Sequence, residues 1–370
     1  MSIPKSFQNI VPNAKFATTK HITYPKETDS ILSLILGVIM NAFAKTENVL
    51  EVKNLITAFS DGKKDIPIID DISFHVSKGK TLGLVGESGC GKSMTGLSLL
   101  QLIPKPPCYF KGGNIFFNNQ DLLKFTEKQM QKIRGAKISM IFQDPMTSLN
   151  PVLTIGDQIS EVFLTHNKVT KKEAQELSIS MLEKVKISDC KKRFYEYPHQ
   201  LSGGMRQRIM IAMSLACKPE LLIADEPTTA LDVTIQAQIL SLMNQLQSER
   251  QMAMIFITHD LGVVAQICDE VAVMYAGKIV EISSAKDLFA DPWHPYTLGL
   301  LESIPKMGQN LKRLKTIPGI VPKYQNLPKG CRFQERCPFV FDKCREVEPE
   351  LLPAKSHTDS ERKVACFLKQ

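Results

Sequence analysis

The chain carries three short stretches whose residue types and spacing could do chemistry on a nucleoside triphosphate. The first is TLGLVGESGCGKS, Thr81 to Ser93. An apolar strand, Thr81 to Val85, runs into Gly86, Glu87, Ser88, Gly89, Cys90, Gly91, Lys92 and Ser93. This fits the phosphate-loop spacing G-x-x-x-x-G-K-[ST]. Glycines there let backbone N–H groups turn inward around phosphate oxygens. Lys92 has the reach for β- and γ-phosphates, and the Ser93 hydroxyl is a Mg²⁺ ligand type. A helix expected through about Ile103 would aim its positive end at the same phosphates.

The second stretch is ELLIADEPTTALD, Glu220 to Asp232. Leu221 to Ala224 reads as a strand buried on both faces, as in a parallel sheet. It delivers Asp225 and Glu226 to a strand's C-terminal end, where an open α/β sheet presents ligands. Asp225 is expected to hold Mg²⁺ through water, and Glu226 to polarise the water that attacks the γ-phosphate. The third is YPHQLSGGMRQR, Tyr197 to Arg208. Ser202, Gly203 and Gly204 expose N–H groups at the start of a helix expected over Met205 to Cys217, a second anion site without its own lysine. Two half-sites in one chain predict a head-to-tail dimer with the nucleotide between them.

Around these stretches, TIGDQISEVFLTH and KKEAQELSISMLEKVKI show apolar residues at helical spacing. Asp144 to Pro151 is a turn-rich joint that could rotate when Gln143 engages the nucleotide. Any contact with a membrane partner is expected from a few residues near Met146 to Leu149.

Taken in order, the phosphate loop, MIFQDP with Gln143, LSGGM, LLIADEP, TTALD with Asp232, and FITHD with His259 resemble the ATP-binding cassette (ABC) ATPases from about Val49 to Ser283. The resemblance implies an α/β phosphate-loop NTPase cassette: a mixed sheet with an antiparallel β part, and a helical subdomain over about residues 144–205. It implies Gln143, Glu226 and His259 as catalytic residues, and Ser93, Gln143 and Asp225 around Mg²⁺. ATP would be held by residues 86–93 with Met94, by Ser202, Gly203 and Gly204 across a dimer seam containing Asp232, and by His259. Phe59, expected in the loop after a first strand at Val49 to Ile56, is the candidate to stack on adenine.

Past the cassette, HPYT, PGIVP and GC…RCP…DKC are similar to the tail of dipeptide and oligopeptide importer ATP-binding subunits, a group that includes nickel importers. The resemblance then covers about residues 49–370. It implies two membrane permease subunits, a second ABC ATPase subunit and an extracytoplasmic peptide-binding protein, with the motor on the cytoplasmic face of the membrane. Peptide is the expected cargo and nickel the alternative. A soluble ABC factor is the competing class.

The tail raises a separate question. Cys331, Cys337, Cys344 and Cys366 account for four of nine cysteines. ATP and Mg²⁺ place the chain in the cytosol, where structural disulfides are rare. Their spacings fit neither short zinc knuckles nor the common ferredoxin run. The segment reads as proline-punctuated with little core of its own, so a bound cofactor would help it fold. The importer resemblance adds weight to a 4Fe–4S cluster, with zinc and plain reduced thiols as alternatives. Cys90, inside the phosphate loop, reads as a thiol whose modification would block ATP.

Composition narrows the classes. At 43% apolar and 23% charged residues, this is ordinary globular composition. The net charge of +8 comes from scattered Lys and Arg, and with one Trp and seven Tyr no base-stacking surface is indicated, so no nucleic-acid partner is expected. No stretch reaches the ~20 apolar residues of a membrane span. Ile31 to Ala44 looks like a secretory signal by itself, but Glu27 and Asp29 precede it. With an ATP site downstream, residues 1–46 are expected to be an N-terminal extension, disordered or left untranslated by a start at Met40. Residues 47–290 are then the ATPase domain and 291–370 the cysteine-containing tail.

Overall fold

A computed structural model describes residues 47–62, 64–144, 148–229, 231–304, 316–353 and 362–370. The Ile31–Ala44 stretch, Met40 and Met146 lie outside them, as does part of the Asp144–Pro151 joint.

Five parallel strands make the centre. In spatial order they are β9 (Glu270–Tyr275), β3 (Thr81–Val85), β8 (Ala253–Thr258), β7 (Leu221–Asp225) and β6 (Ile138–Ile141). Every residue of β3, β7 and β8 is buried. Their unbroken runs of Val, Ile, Leu and Ala suit a sheet covered on both faces. Because the five strands run the same way, their C-terminal ends share one edge. That edge gathers the loops leaving Val85, Ile141, Asp225 and Thr258.

Beyond β9 the sheet turns antiparallel through β10 (Lys278–Ser284), β12 (Lys363–Val364) and β11 (Leu352–Pro353). A second, antiparallel sheet is ordered β2 (Asp65–Ser77), β1 (Asn48–Ser60), β4 (Cys108–Phe117), β5 (Gln120–Asp121). The first strand is longer than expected, because bulged pairing to both neighbours carries it on to Ser60.

The helices are α1 (Lys92–Leu99), α2 (Glu127–Gln131), α3 (Ile155–His166), α4 (Lys171–Lys184), α5 (Cys190–Arg193), α6 (Gly203–Leu215), α7 (Val233–Arg250), α8 (Leu261–Ile267), α9 (Ala285–Ala290), α10 (Pro295–Glu302) and α11 (Asp342–Glu346). The caps follow local chemistry. Thr154 Oγ1 accepts from the Asp157 N–H at 3.1 Å, and Thr170 forms a capping box with Glu173. Ile155, Ile159 and Phe163 on α3, with Ala174, Met181 and Leu182 on α4, share a buried cluster with α6. The expected helical layer thus packs through its apolar stripe.

The tail, expected to have little core of its own, packs into a core shared with the cassette. Residues from Glu47 onward cluster as one unit, tail included. Phe333 and Tyr296 are buried with Tyr275 of β9, the rings meeting at 4.7–5.4 Å. Arg332 donates to the Ala276 carbonyl at 2.6 Å and to Glu348 at 2.8 Å, and also pairs with Asp70 of β2. The prolines hide this core from sequence reading, because its apolar partners come from the cassette.

Candidate functional site

At the shared edge, β3 hands over to the Gly86–Gly91 loop and then to α1. Gly86 has φ +153°, and a Cβ there would lie 2.2 Å from the Met274 carbonyl oxygen, so no other residue fits. Gly91 is the N-cap of α1 in the left-handed region, with no side-chain cap. Lys92 is 5% exposed. Its Nζ donates to the carbonyls of Gly86 (2.8 Å) and Glu87 (3.1 Å), which aims the ammonium back across the loop. Next along α1, the Ser93 hydroxyl donates to Asp225 Oδ1 at 3.0 Å. Met94 packs, half-buried, against the core.

Asp225 closes β7, and Glu226 leaves it with a left-handed backbone, φ 45°. That conformation is costly for a residue with a side chain and is held in place by its surroundings. Glu226 N–H donates to the Ile257 carbonyl of β8 at 2.9 Å. The carboxylate receives three partners. Gln143 Nε2 donates to Oε2 at 3.1 Å and Thr229 Oγ1 donates to Oε2 at 3.0 Å. His259 Nδ1 lies 3.1 Å from Oε1, and against an ionised carboxylate that nitrogen carries the proton. Burial pushes the Glu226 carboxyl up, yet the hydrogen bonds from His259 and Thr229 outweigh it and hold the group below its ordinary value. Asp225 goes the other way. Burial raises it, and the neighbouring Glu226 charge adds to that, against the Ser93 hydrogen bond. An acidic pair drawn apart in this way fits one carboxylate facing a cation and the other kept ionised as a base. The donor set of Ser93 hydroxyl, Asp225 carboxylate and Gln143 amide is the oxygen chemistry that Mg²⁺ takes.

The fold therefore brings together two hydrogen-bonded sets, Ser93 with Asp225 and Gln143 and His259 with Glu226, side by side at the end of β7. Thr229, legible in the sequence only as part of a motif, belongs to the second set. Its signal is the spacing of three from Glu226 in a tight turn, Thr229 N–H donating to the Glu226 carbonyl at 3.2 Å. Ser202, Gly203, Gly204 and Asp232 lie outside both sets, at two adjoining helix starts. Ser202 caps α6, and Asp232 caps α7, its Oδ1 accepting from Ile235 N–H at 2.9 Å. A Cβ on Gly204 would meet Ile235 at 2.9 Å, so the two starts touch. Phe59 corrects the reading in one respect. It lies within β1, paired to Ile66 and Cys108, and not in a loop. Cys90 is a second correction. It is fully buried, and burial raises its pKa despite Lys92, so it presents neither the exposure nor the thiolate that modification needs.

Cys331, Cys337, Cys344 and Cys366 line one small cavity together with His294 and Phe333. Burial pushes Cys331 up to about 12 and Cys366 up to about 11, with the neighbouring thiols adding to it. Cys331, Cys337 and Cys366 each accept a backbone hydrogen bond from the residue two positions on. Among the described residues, however, no three Cys, His, Asp or Glu side chains form a group that could hold a metal ion. The 4Fe–4S expectation gains no support from that geometry. The chain brings the thiols to one place without closing a coordination shell. No helix among the described residues is long and apolar enough to cross a membrane.

Comparison with known proteins identifies the family. The ABC transporter family pattern matches residues 69–229, and the oligopeptide/dipeptide transporter C-terminal region matches residues 280–344. The oligopeptide transport ATP-binding protein AppD of Bacillus subtilis is 52% identical over 320 residues, 86% of this chain and 96% of that protein. The dipeptide transport ATP-binding protein DppD of the same species is 51% identical over 323 residues, 87% and 95%. OppD of Escherichia coli is 49% identical over 325 residues, 87% and 94%. A dimeric ATP-binding cassette in a post-hydrolysis state with ADP and Pi shares the fold at TM-score 0.57 and 24% identity, over 64% of this chain and 98% of that one. The cbiO1 subunit of a Clostridium perfringens ABC transporter complex gives TM-score 0.57 at 26% identity, over 66% and 92%. With a phosphate loop, a carboxylate pair and an importer-type tail in one fold, this chain belongs to the ATP-binding proteins of the oligopeptide/dipeptide ABC transporter family.

Proposed function

We propose that this chain is the ATP-hydrolysing motor subunit of an importer for di- and oligopeptides. The observation that carries the reading is Glu226, a carboxylate hydrogen-bonded by three partners beside the Ser93–Asp225 pair. The loop N–H groups and Lys92 hold the β- and γ-phosphates. Ser93, Gln143 and Asp225 are the residues for Mg²⁺, which supplies charge neutralisation at the phosphate oxygens when bound. Glu226 takes the proton of the attacking water, and His259 orients Glu226 and contacts the γ-phosphate. Phe59 is the proposed adenine contact. Ser202, Gly203, Gly204 and Asp232 complete the site of a second ATPase subunit, which is proposed to be a different chain. ATP closes this pair against two permease subunits at the cytoplasmic face of the membrane, and a peptide-binding protein delivers cargo from outside. The names of the relatives favour peptide over nickel as cargo.

Glu226→Gln tests the core of this reading. Hydrolysis should fall by about 10²–10⁴-fold with ATP binding retained. Turnover near the wild-type rate would remove Glu226 as the base. Uptake of labelled dipeptides by the complete transporter, with nickel uptake beside it, tests the cargo.

For the tail, the proposal is a thiolate site at Cys331, Cys337, Cys344 and Cys366, holding a 4Fe–4S cluster or, failing that, zinc. Its support is the shared cavity and the N–H groups directed at three of the sulfurs. Iron and sulfide analysis of anaerobically purified protein tests it. Zinc alone would overturn the cluster, and four freely titrating thiols would overturn the site.

A further inference from the structure

The phosphate loop is gripped from outside by three tail residues. Arg336 donates to both Glu87 carboxylate oxygens, Nη1 at 2.7 Å and Nη2 at 2.9 Å. The Glu87 N–H donates to Tyr296 Oη at 2.8 Å. The Tyr324 hydroxyl donates to the Gly89 carbonyl at 2.7 Å. All three contacts fall on Glu87 and Gly89, between Gly86 and Lys92.

Arg336 is built to stay where it is. It is 6% exposed. Its Nε donates to the Pro318 carbonyl at 2.8 Å, and its guanidinium sits 5.7 Å from the Tyr275 ring and 5.9 Å from Phe333. A planar fork fixed on three sides meets a carboxylate bidentately, which sets orientation as well as charge. Glu87, in turn, occupies a position that the phosphate-loop spacing leaves free. It puts a negative charge into a loop that must receive a polyphosphate, and like charges repel over this range.

We propose that Arg336 is a positioning residue for ATP binding, acting through Glu87. It cancels the carboxylate beside the polyphosphate path. With Tyr296, which accepts from the Glu87 N–H, and Tyr324, which donates to the Gly89 carbonyl, it fixes the first half of the loop from outside. Tail and cassette thus form one nucleotide site. This rests on the loop being the ATP site, and the controls separate the two claims.

The test uses the full chain and a fluorescent ATP analogue with Mg²⁺, followed by ATPase assays. Wild-type protein should bind, and Lys92→Ala should not; if wild type fails to bind, the ATP reading itself falls. Arg336→Met should weaken binding about tenfold, the effect of one uncompensated charge at partly wet range. The loss should appear in KM, with kcat within about twofold. Adding Glu87→Gln to Arg336→Met should recover most of the affinity, because the repelling charge leaves with its partner. Arg336→Lys should lie between, keeping the charge but not the fork. A residue that merely held the fold would give no recovery in the double variant. Affinity within twofold of wild type in Arg336→Met, or a double variant as weak as the single one, overturns the proposal. If Arg336→Met does not fold, Arg336→Gln, which removes the charge but keeps a hydrogen-bond donor, takes its place under the same two criteria.

Discussion

Two helix starts in this molecule offer backbone N–H groups to an anion, and they are built in opposite ways. The start of α1 is enclosed. Gly91 has a left-handed backbone, a Cβ there would meet the Ile68 carbonyl at 3.1 Å, and Lys92 is buried. The start of α6 is open. Ser202 and Gly203 are exposed, and a Cβ on Gly203 would touch nothing within 4 Å. The same dipole physics acts at both. At α1, strands β2 and β9 and the tail close the surroundings, so the geometry is complete within the chain. At α6 no described residue would meet a Cβ on Gly203, which is the arrangement expected of a half-site finished by a second subunit.

The contrast can be broken by adding one methyl group in the loop that leads into α1 and one at the start of α6. Gly86→Ala should cost about 100-fold in ATP affinity, since left-handed strain and a backbone clash each cost roughly 1–3 kcal/mol; equilibrium binding measures it, and retained affinity would mean the loop adapts. Gly203→Ala should leave the fold intact. Its cost should appear only in hydrolysis by the assembled pair, at about tenfold, where a Cβ stands between N–H group and phosphate. A loss of nucleotide binding by the single chain would erase the distinction between the two helix starts.

Smaller effects sharpen the comparison. The Ser202 cap is long, its Oγ 3.4 Å from the Met205 nitrogen, so Ser202→Ala should destabilise at the low end of capping, about 0.5 kcal/mol; urea unfolding checks this. The enclosure of the α1 start also protects Cys90. Alkylation by iodoacetamide should be slower there than at a free thiol by about 100-fold or more, read by peptide mass mapping before and after denaturation. Equal labelling in the native protein would show that the loop opens.

Much of the site is legible in the sequence because its parts are local. Thr81–Ser93 contains its own strand, turn and helix start, and the spacing of its glycines marks the turn. The apolar run Leu221–Ala224 announces a strand buried on both faces by composition alone. The expectations that fail depend on distant partners. Phe59 belongs to a strand rather than a loop because the pairing that extends β1 to Ser60 comes from β2 and β4. The core that the tail shares with the cassette is equally hidden, because Tyr275 of β9 supplies the ring against which Tyr296 and Phe333 pack.

By itself, the sequence determined the phosphate loop, the helix caps and the buried character of the central strands, since each follows from residues within a few positions of one another. The tertiary structure decided which side chains meet the Glu226 carboxylate and what holds the loop. Glu226 meets His259 from 33 residues away, and Arg336 reaches Glu87 across 249. Side chains so far apart in sequence meet only after the parallel sheet has brought its strand ends to one edge and the tail has folded back over it. Pattern and propensity act over a few residues, and they carry no record of that return.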